Sequence, residues 1–123
     1  MTALALYQPD IPGNVGAAMR LAACTGVRLH IVEPCGFPWD EAKMRRAGMD
    51  YMDIAACARH HSWVDFRAAT PESRIILLST KAATPYLDFT FRPGDILLAG
   101  RESAGVPDEI HEAADARVLI PFV

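Results

Sequence analysis

The stretch Asp95–Pro107, DILLAGRESAGVP, decides the fold. Its first part, through Ala99, is a continuous apolar run without alternation, the pattern of a strand buried on both faces. Its second part is a glycine-framed loop, Gly100-x-Glu102-x-x-Gly105. Pro107 then stands where a helix through EIHEAA begins, because its missing N–H costs nothing in a first turn. A buried strand that opens through a loop into a helix is the repeating unit of an α/β protein.

Working outward, the unit recurs. Arg74–Ser79 (RIILLS) is the clearest buried strand, again a continuous apolar run. Ala3–Tyr7 and Arg28–Val32 are further strand candidates, and Val118–Ile120 is a short final one. Ala17–Cys24 reads as a helix that Gly26 stops. Asp40 caps a helix running to Gly48, and Ser62 caps a short one through WVDFRAA. The stretch Asp53–Arg59 carries little pattern, and Tyr86–Phe91 alternates as an exposed edge strand does. Together these predict an α/β fold with a mostly parallel sheet and flanking helices, in a single domain over residues 1–123.

Composition bounds the function. The chain has 123 residues, 51% hydrophobic, enough for one modest core. A formal net charge of -3 does not advertise nucleic-acid binding, although a local basic patch can sit within an acidic surface. Cys24, Cys35 and Cys57 form no CxxC pair and leave an odd count, which argues against a disulfide framework or a cysteine-rich zinc site. The four histidines, His30, His60, His61 and His111, show no metal-ligand spacing, so no metal is expected. On a strand, adjacent His60 and His61 would face opposite sides. No basic leader and no bilayer-length apolar run is present, so a cytoplasmic protein without membrane association is expected.

In open parallel sheets ligands gather beyond the carboxyl ends of the strands. Three loops qualify. Gln8–Gly16 holds Pro9, Pro12, Gly13, Asn14 and Gly16, with Arg20 about one turn into the following helix. It lacks the Gly-Lys-Ser/Thr of a phosphate-binding P-loop and is not the dinucleotide GxGxxG. Ser79–Pro85 offers two hydroxyls and Lys81 at the sheet edge. Gly100–Pro107 is the most specific, with Gly100 allowing close approach to the backbone and Glu102 able to accept N–H groups from neighbouring loops. Taken alone, the first two loops read first as an ordinary turn and a solvated strand end, and the third reads either way. Lys43, Arg45 and Arg46 concentrate positive charge on one predicted helix, with Arg59, His60 and His61 downstream, which suits either a solvated face or phosphate contacts.

Taken jointly, the segments YQPDIPGNVGAAMRLAACTG, EPCGFPWDEAKMRRAGMDY and LLAGRESAGVP resemble those of the SPOUT-class (trefoil-knot) RNA 2'-O-methyltransferases. Within that class the likeness is greatest to the small enzymes that modify the tRNA wobble nucleotide, cytidine or uridine 34. Asn14, Gly16 and Arg20 match the Asn-x-Gly-x-x-x-Arg motif, and Gly100, Glu102 and Gly105 match the second motif. The resemblance implies S-adenosylmethionine as cofactor, tRNA as substrate and a homodimer whose site is completed across the interface. It implies catalytic roles for Arg20, Asn14 and Glu102, and cofactor contacts at Leu78, Ser79, Gly100, Gly105 and Ile120. RNA contacts are implied at Arg20, Lys43, Arg45, Arg46, Tyr51 and Lys81, with Asp50 near the RNA or the partner subunit. The third family motif, a Ser/Asn-rich loop and final helix that thread the knot, should follow RVLIPFV. The expected domain is therefore SPOUT-like without its C-terminal knot segment. Two other functions stay in view: a non-catalytic RNA-binding or dimeric scaffold, and methylation of ribosomal RNA.

Overall fold

The computed structural model describes residues 3–46, 56–101 and 104–119. Six strands, β1 (Ala3–Tyr7), β2 (Leu29–Val32), β3 (Ala58–His60), β4 (Ile75–Leu78), β5 (Ile96–Ala99) and β6 (Ala116–Val118), form one sheet in the order β3-β2-β1-β5-β4-β6. Each neighbouring pair is parallel. Among the described residues the helices α1 (Pro12–Thr25), α2 (Glu41–Arg46), α3 (Trp63–Ala69) and α4 (Asp108–Ala113) accompany it. The chain builds outward from β1 through β2 to β3, then crosses to β4, so the connections leaving β1 and β5 diverge. That divergence opens a crevice at their carboxyl ends, where α/β proteins bind ligands.

The sheet is buried by packing on both faces. Tyr7, Val32, Phe66, Leu77, Leu98 and Ile110 form one core, with Trp63 and Val106 at its margin. Val15, Met19, Leu29, Ile31 and Met44 form the other, beneath α1 and α2. Double-sided burial is why β4 and β5 read as unbroken apolar runs. The caps behave as their sequences require. Ser62 Oγ accepts the Asp65 N–H at 3.1 Å, Asp40 Oδ1 accepts the Lys43 N–H at 3.1 Å, and Gly26 ends α1 with φ 70°.

Three expectations change. The helix expected over Ala17–Cys24 begins five residues earlier, at Pro12, so Gly13, Asn14 and Gly16 belong to α1 and not to a loop. Proline at the first helical position favours this start despite the glycines. Tyr86–Phe91 is not an edge strand: Tyr86–Asp88 forms a 3-10 turn, with the Asp88 N–H on Pro85 O at 3.0 Å. The place beside β4 is taken by β6, and next to this segment only Pro85 bridges, to Leu119. Within the weak stretch before His61, Ala58–His60 adds as β3, a strand too short and polar to signal itself.

Two polar clusters are buried in this frame. Asp95, 2% exposed, accepts Arg74 Nε at 2.9 Å and Nη2 at 2.7 Å, together with the Arg92 N–H at 2.8 Å. This clamp ties the start of β5 to the start of β4, and the Arg74 hydrogen bonds hold the Asp95 carboxyl below the usual carboxylate range. His30 Nδ1 and His60 Nε2 lie 2.9 Å apart between β2 and β3, with Phe66 edge-on to both rings. One proton serves that contact. Burial, then the charges of His60 and Arg28, lower His30 from 6.5 to about 4, and burial also lowers His60.

The unfolded chain therefore takes up protons on these rings before the folded one does. Their contribution to stability is complete above the unfolded value of 6.5 and is lost as the pH falls from there toward about 4. Thermal melts in neutral and mildly acidic buffer will show the midpoint falling with acid. His60→Gln will make that fall shallower. An unchanged slope in the variant would remove the pair as its origin. Among the described residues no helix is long and apolar enough to cross a membrane.

Candidate active site

The loop after β5 folds back on its own strand end. Arg101 N–H donates to Gly105 O at 3.0 Å and Gly105 N–H returns to Arg101 O at 2.8 Å. Gly105 takes a positive φ of 66°, which favours glycine. A Cβ on Gly100 would stand 2.7 Å from the Gly105 carbonyl carbon and 3.1 Å from Val106 N. Gly100 is thus required by the fold-back itself. The space beside it is filled by this chain's backbone, where the sequence suggested room for a ligand.

The loop after β4 is fixed from the other side. Ser79 N–H donates to Val118 O at 2.9 Å, and Leu119 N–H donates to Thr84 O at 2.8 Å. Ser79 Oγ accepts the Lys81 N–H at 3.1 Å and lies 3.3 Å from His111 Nε2 on α4. Between the two loops lies a cavity of about 420 Å³. Leu77, Leu78 and Val106 give it apolar walls, and Ser79, Lys81, Asp108 and His111 supply hydroxyl, ammonium, carboxylate and imidazole. Its size falls within the roughly 300–1,000 Å³ of small-molecule sites. Apolar walls with a few charged groups of both signs suit a ligand that is itself part apolar and part charged.

A second cavity of about 250 Å³ lies at the ends of β1 and β2, lined by Gln8, Asp10, Pro34, Cys35, Gly36 and Arg101. Gly36 N–H donates to Pro9 O at 2.9 Å, and a Cβ on Gly36 would meet the Asp10 Cβ at 2.5 Å. The two loops are therefore packed backbone to backbone. Burial foremost, then the charge of Glu33, pushes the Cys35 thiol up to about 11, so it is no nucleophile at neutral pH.

The structure gathers some of the expected site residues and separates others. Leu78, Ser79, Lys81, Gly100 and Gly105 line the larger cavity together. Arg20 is exposed on α1, eight residues past Pro12 and so about 12 Å along the helix. It lines neither cavity, and its side chain makes no hydrogen bond or ion pair with another described residue. Asn14 is exposed in the first turn of α1, and Lys43, Arg45 and Arg46 are exposed on α2. Glu102, Ile120, Asp50 and Tyr51 lie outside the described residues. No cluster of three or more metal-ligating side chains occurs among the described residues. Sequence reading passed over Arg101, which lines both cavities, and His111, which meets Ser79. The one signal for Arg101 was its place inside the glycine-framed motif.

A parallel sheet of this order, with a glycine loop folded over the carboxyl end of β5, defines an open α/β domain with its cavities at the carboxyl ends of the strands. The chain belongs to the SpoU rRNA Methylase family, whose model matches residues 1–123. It is 62% identical over 121 residues to a tRNA (cytidine(34)-2'-O)-methyltransferase of Beijerinckia indica, covering 97% of this chain and 76% of the relative. A solved structure concerning the 2-OH methylation of C/U34 on tRNA superposes with a TM-score of 0.88 at 37% identity, covering 99% of this chain and 80% of that one. An AdoMet-bound rRNA methyltransferase from Sinorhizobium meliloti superposes with a TM-score of 0.82 at 25% identity, over 99% of this chain and 48% of that one.

Proposed function

We propose that this chain transfers a methyl group from S-adenosylmethionine to the ribose 2'-hydroxyl of the tRNA wobble nucleotide, cytidine or uridine 34. The larger cavity carries the reading: its volume and mixed lining suit the cofactor, in a family whose similar members are named for this reaction. Leu78, Ser79, Gly100, Gly105 and Ile120 would hold the cofactor, which when bound supplies an electrophilic methyl on sulfonium sulfur. Lys81, at the cavity mouth, would meet RNA phosphate, as would Lys43, Arg45, Arg46 and Tyr51.

Methylation would form an O2'–CH3 bond as S–CH3 breaks, the cofactor leaving as the neutral thioether S-adenosylhomocysteine and the 2'-hydroxyl proton passing to solvent water. Arg20 is proposed to orient that hydroxyl and stabilise the negative charge growing on its oxygen. A guanidinium stays protonated and donates without accepting, so this role suits it better than that of a base. Asn14 would shape the start of α1 beside it, and Glu102 would brace the loop after β5.

Arg20 lies off its own chain's cavities, so we propose that it serves the site of a second copy in a homodimer. Leu21 beside it is 58% exposed, and with Leu4, Ala22, Val27 and Leu97 it borders an apolar hollow of about 260 Å³ on the α1 face of the sheet. An apolar hollow of that kind next to an exposed arginine suits a partner surface.

The test is methyl transfer from labelled S-adenosylmethionine to unmodified tRNAs, followed by mapping of the ribose modified. Label at the 2'-oxygen of nucleotide 34 is expected. Label only on ribosomal RNA would overturn the substrate, and cofactor binding without transfer to any RNA would favour a scaffold.

A further inference from the structure

We infer that the second cavity, at the ends of β1 and β2, is the subsite for the target nucleotide, and that Arg101 is its phosphate anchor. The inference rests on the proposed RNA methylation. The cavity of about 250 Å³ is bounded by Gln8, Asp10, the backbone of Pro34–Gly36, and Arg101. Arg101 Nε is buried and has no hydrogen-bond partner among the described residues, while its Cζ lies 5.9 Å above the Tyr7 ring. A buried donor of that kind is costly unless something completes it.

The lining narrows what completes it. A guanidinium has only donors, and an ionised carboxylate has only acceptors. Asp10 in the same lining therefore disfavours a bare anion and favours a ligand that also donates. A nucleotide supplies both, with phosphate oxygens for Arg101 and ribose hydroxyl or base donors for Asp10 and Gln8. The Gln8 amide both donates and accepts, so it can serve either pyrimidine edge. Arg101 also lines the larger cavity, so it stands at the boundary between the two. A nucleotide held there would lie next to the cavity proposed for the cofactor, from which the methyl is delivered.

A zwitterionic amino-acid tail of the cofactor also pairs an anion with donors. The seat proposed for the cofactor is the larger cavity, and the experiment separates the two occupants. Affinity for an unmodified anticodon stem-loop is measured by fluorescence anisotropy over a range of salt, and S-adenosylmethionine affinity by calorimetry, for wild type, Arg101→Lys and Arg101→Ala. Arg101→Ala is expected to weaken RNA binding about tenfold and to reduce the slope of log affinity against log salt by about one. Arg101→Lys is expected to keep the slope and lose part of the affinity, since it retains charge without the fork. Cofactor affinity and the melting midpoint should stay at wild-type values. Equal loss of cofactor affinity would assign Arg101 to the cofactor tail and overturn the inference, as would RNA binding unchanged in Arg101→Ala. A wild-type chain that binds the stem-loop but transfers no methyl would refute the methylation reading, a result separable from either of these.

Discussion

Replacing Arg20 by alanine reduces methyl transfer by at least ~10²-fold while S-adenosylmethionine affinity and the melting midpoint stay unchanged. The magnitude is that of removing one donor aimed at developing oxyanion charge. The selectivity follows from placement: Arg20 is exposed on α1 and lines neither cavity, so its loss removes no packing and no cofactor contact. Single-turnover rates and calorimetry on the same preparation make the comparison. Loss of cofactor affinity in parallel with rate would make the residue structural.

The same variant tests the dimer. Mixed dimers of Arg20→Ala with a cofactor-defective Gly100→Val chain pair an intact cavity on one subunit with an intact Arg20 on the other. If Arg20 acts across the interface, each mixed dimer regains one working site, although neither parent is active. No recovery in purified mixed dimers would return Arg20 to its own subunit.

Gly100→Ala is the second large effect. Its Cβ would meet the Gly105 carbonyl carbon at 2.7 Å and Cα at 2.8 Å, both backbone atoms that no rotamer change can move aside. The loop must lift from the strand end. Overpacking of this kind costs about 1–3 kcal/mol of stability, and misplacing a site wall by about 1 Å costs on the order of 10²-fold in rate. Gly13→Ala is the control. A Cβ there meets nothing within 4 Å, and the position is helical, so stability should hold or rise by up to about 1 kcal/mol. Melting midpoints and cofactor titrations of both variants decide it. A Gly100→Ala chain with wild-type midpoint and affinity would mean that the fold-back does not shape the site.

The legible parts of this molecule were those whose signal is local. Ile75–Leu78 and Ile96–Ala99 announced themselves because burial on both faces demands unbroken apolar runs. Asp40, Ser62 and Gly26 marked helix ends because capping involves only neighbouring residues. The start of α1 was misplaced because glycine and asparagine carry turn propensity, while the advantage of Pro12 at a first helical turn and the burial of Val15, Gly16 and Met19 under α1 outweigh it. Tyr86–Phe91 has strand-like alternation, yet pairing beside β6 stops at the Pro85–Leu119 bridge, and Tyr86–Asp88 turns away as a 3-10 segment.

The sequence by itself determined the α/β class, the double-sided core and the glycine-framed loop that ends at Pro107. Those follow from periodicity, caps and backbone freedom, which act over a few residues. Only the tertiary structure decided that the space beside Gly100 is filled by Gly105, that Arg101 lines two cavities, and that Arg20 lines neither. The reason is physical. Which loops converge at a sheet's carboxyl edge depends on strand order, here β3-β2-β1-β5-β4-β6, and strand order is set by long-range pairing that no local pattern encodes.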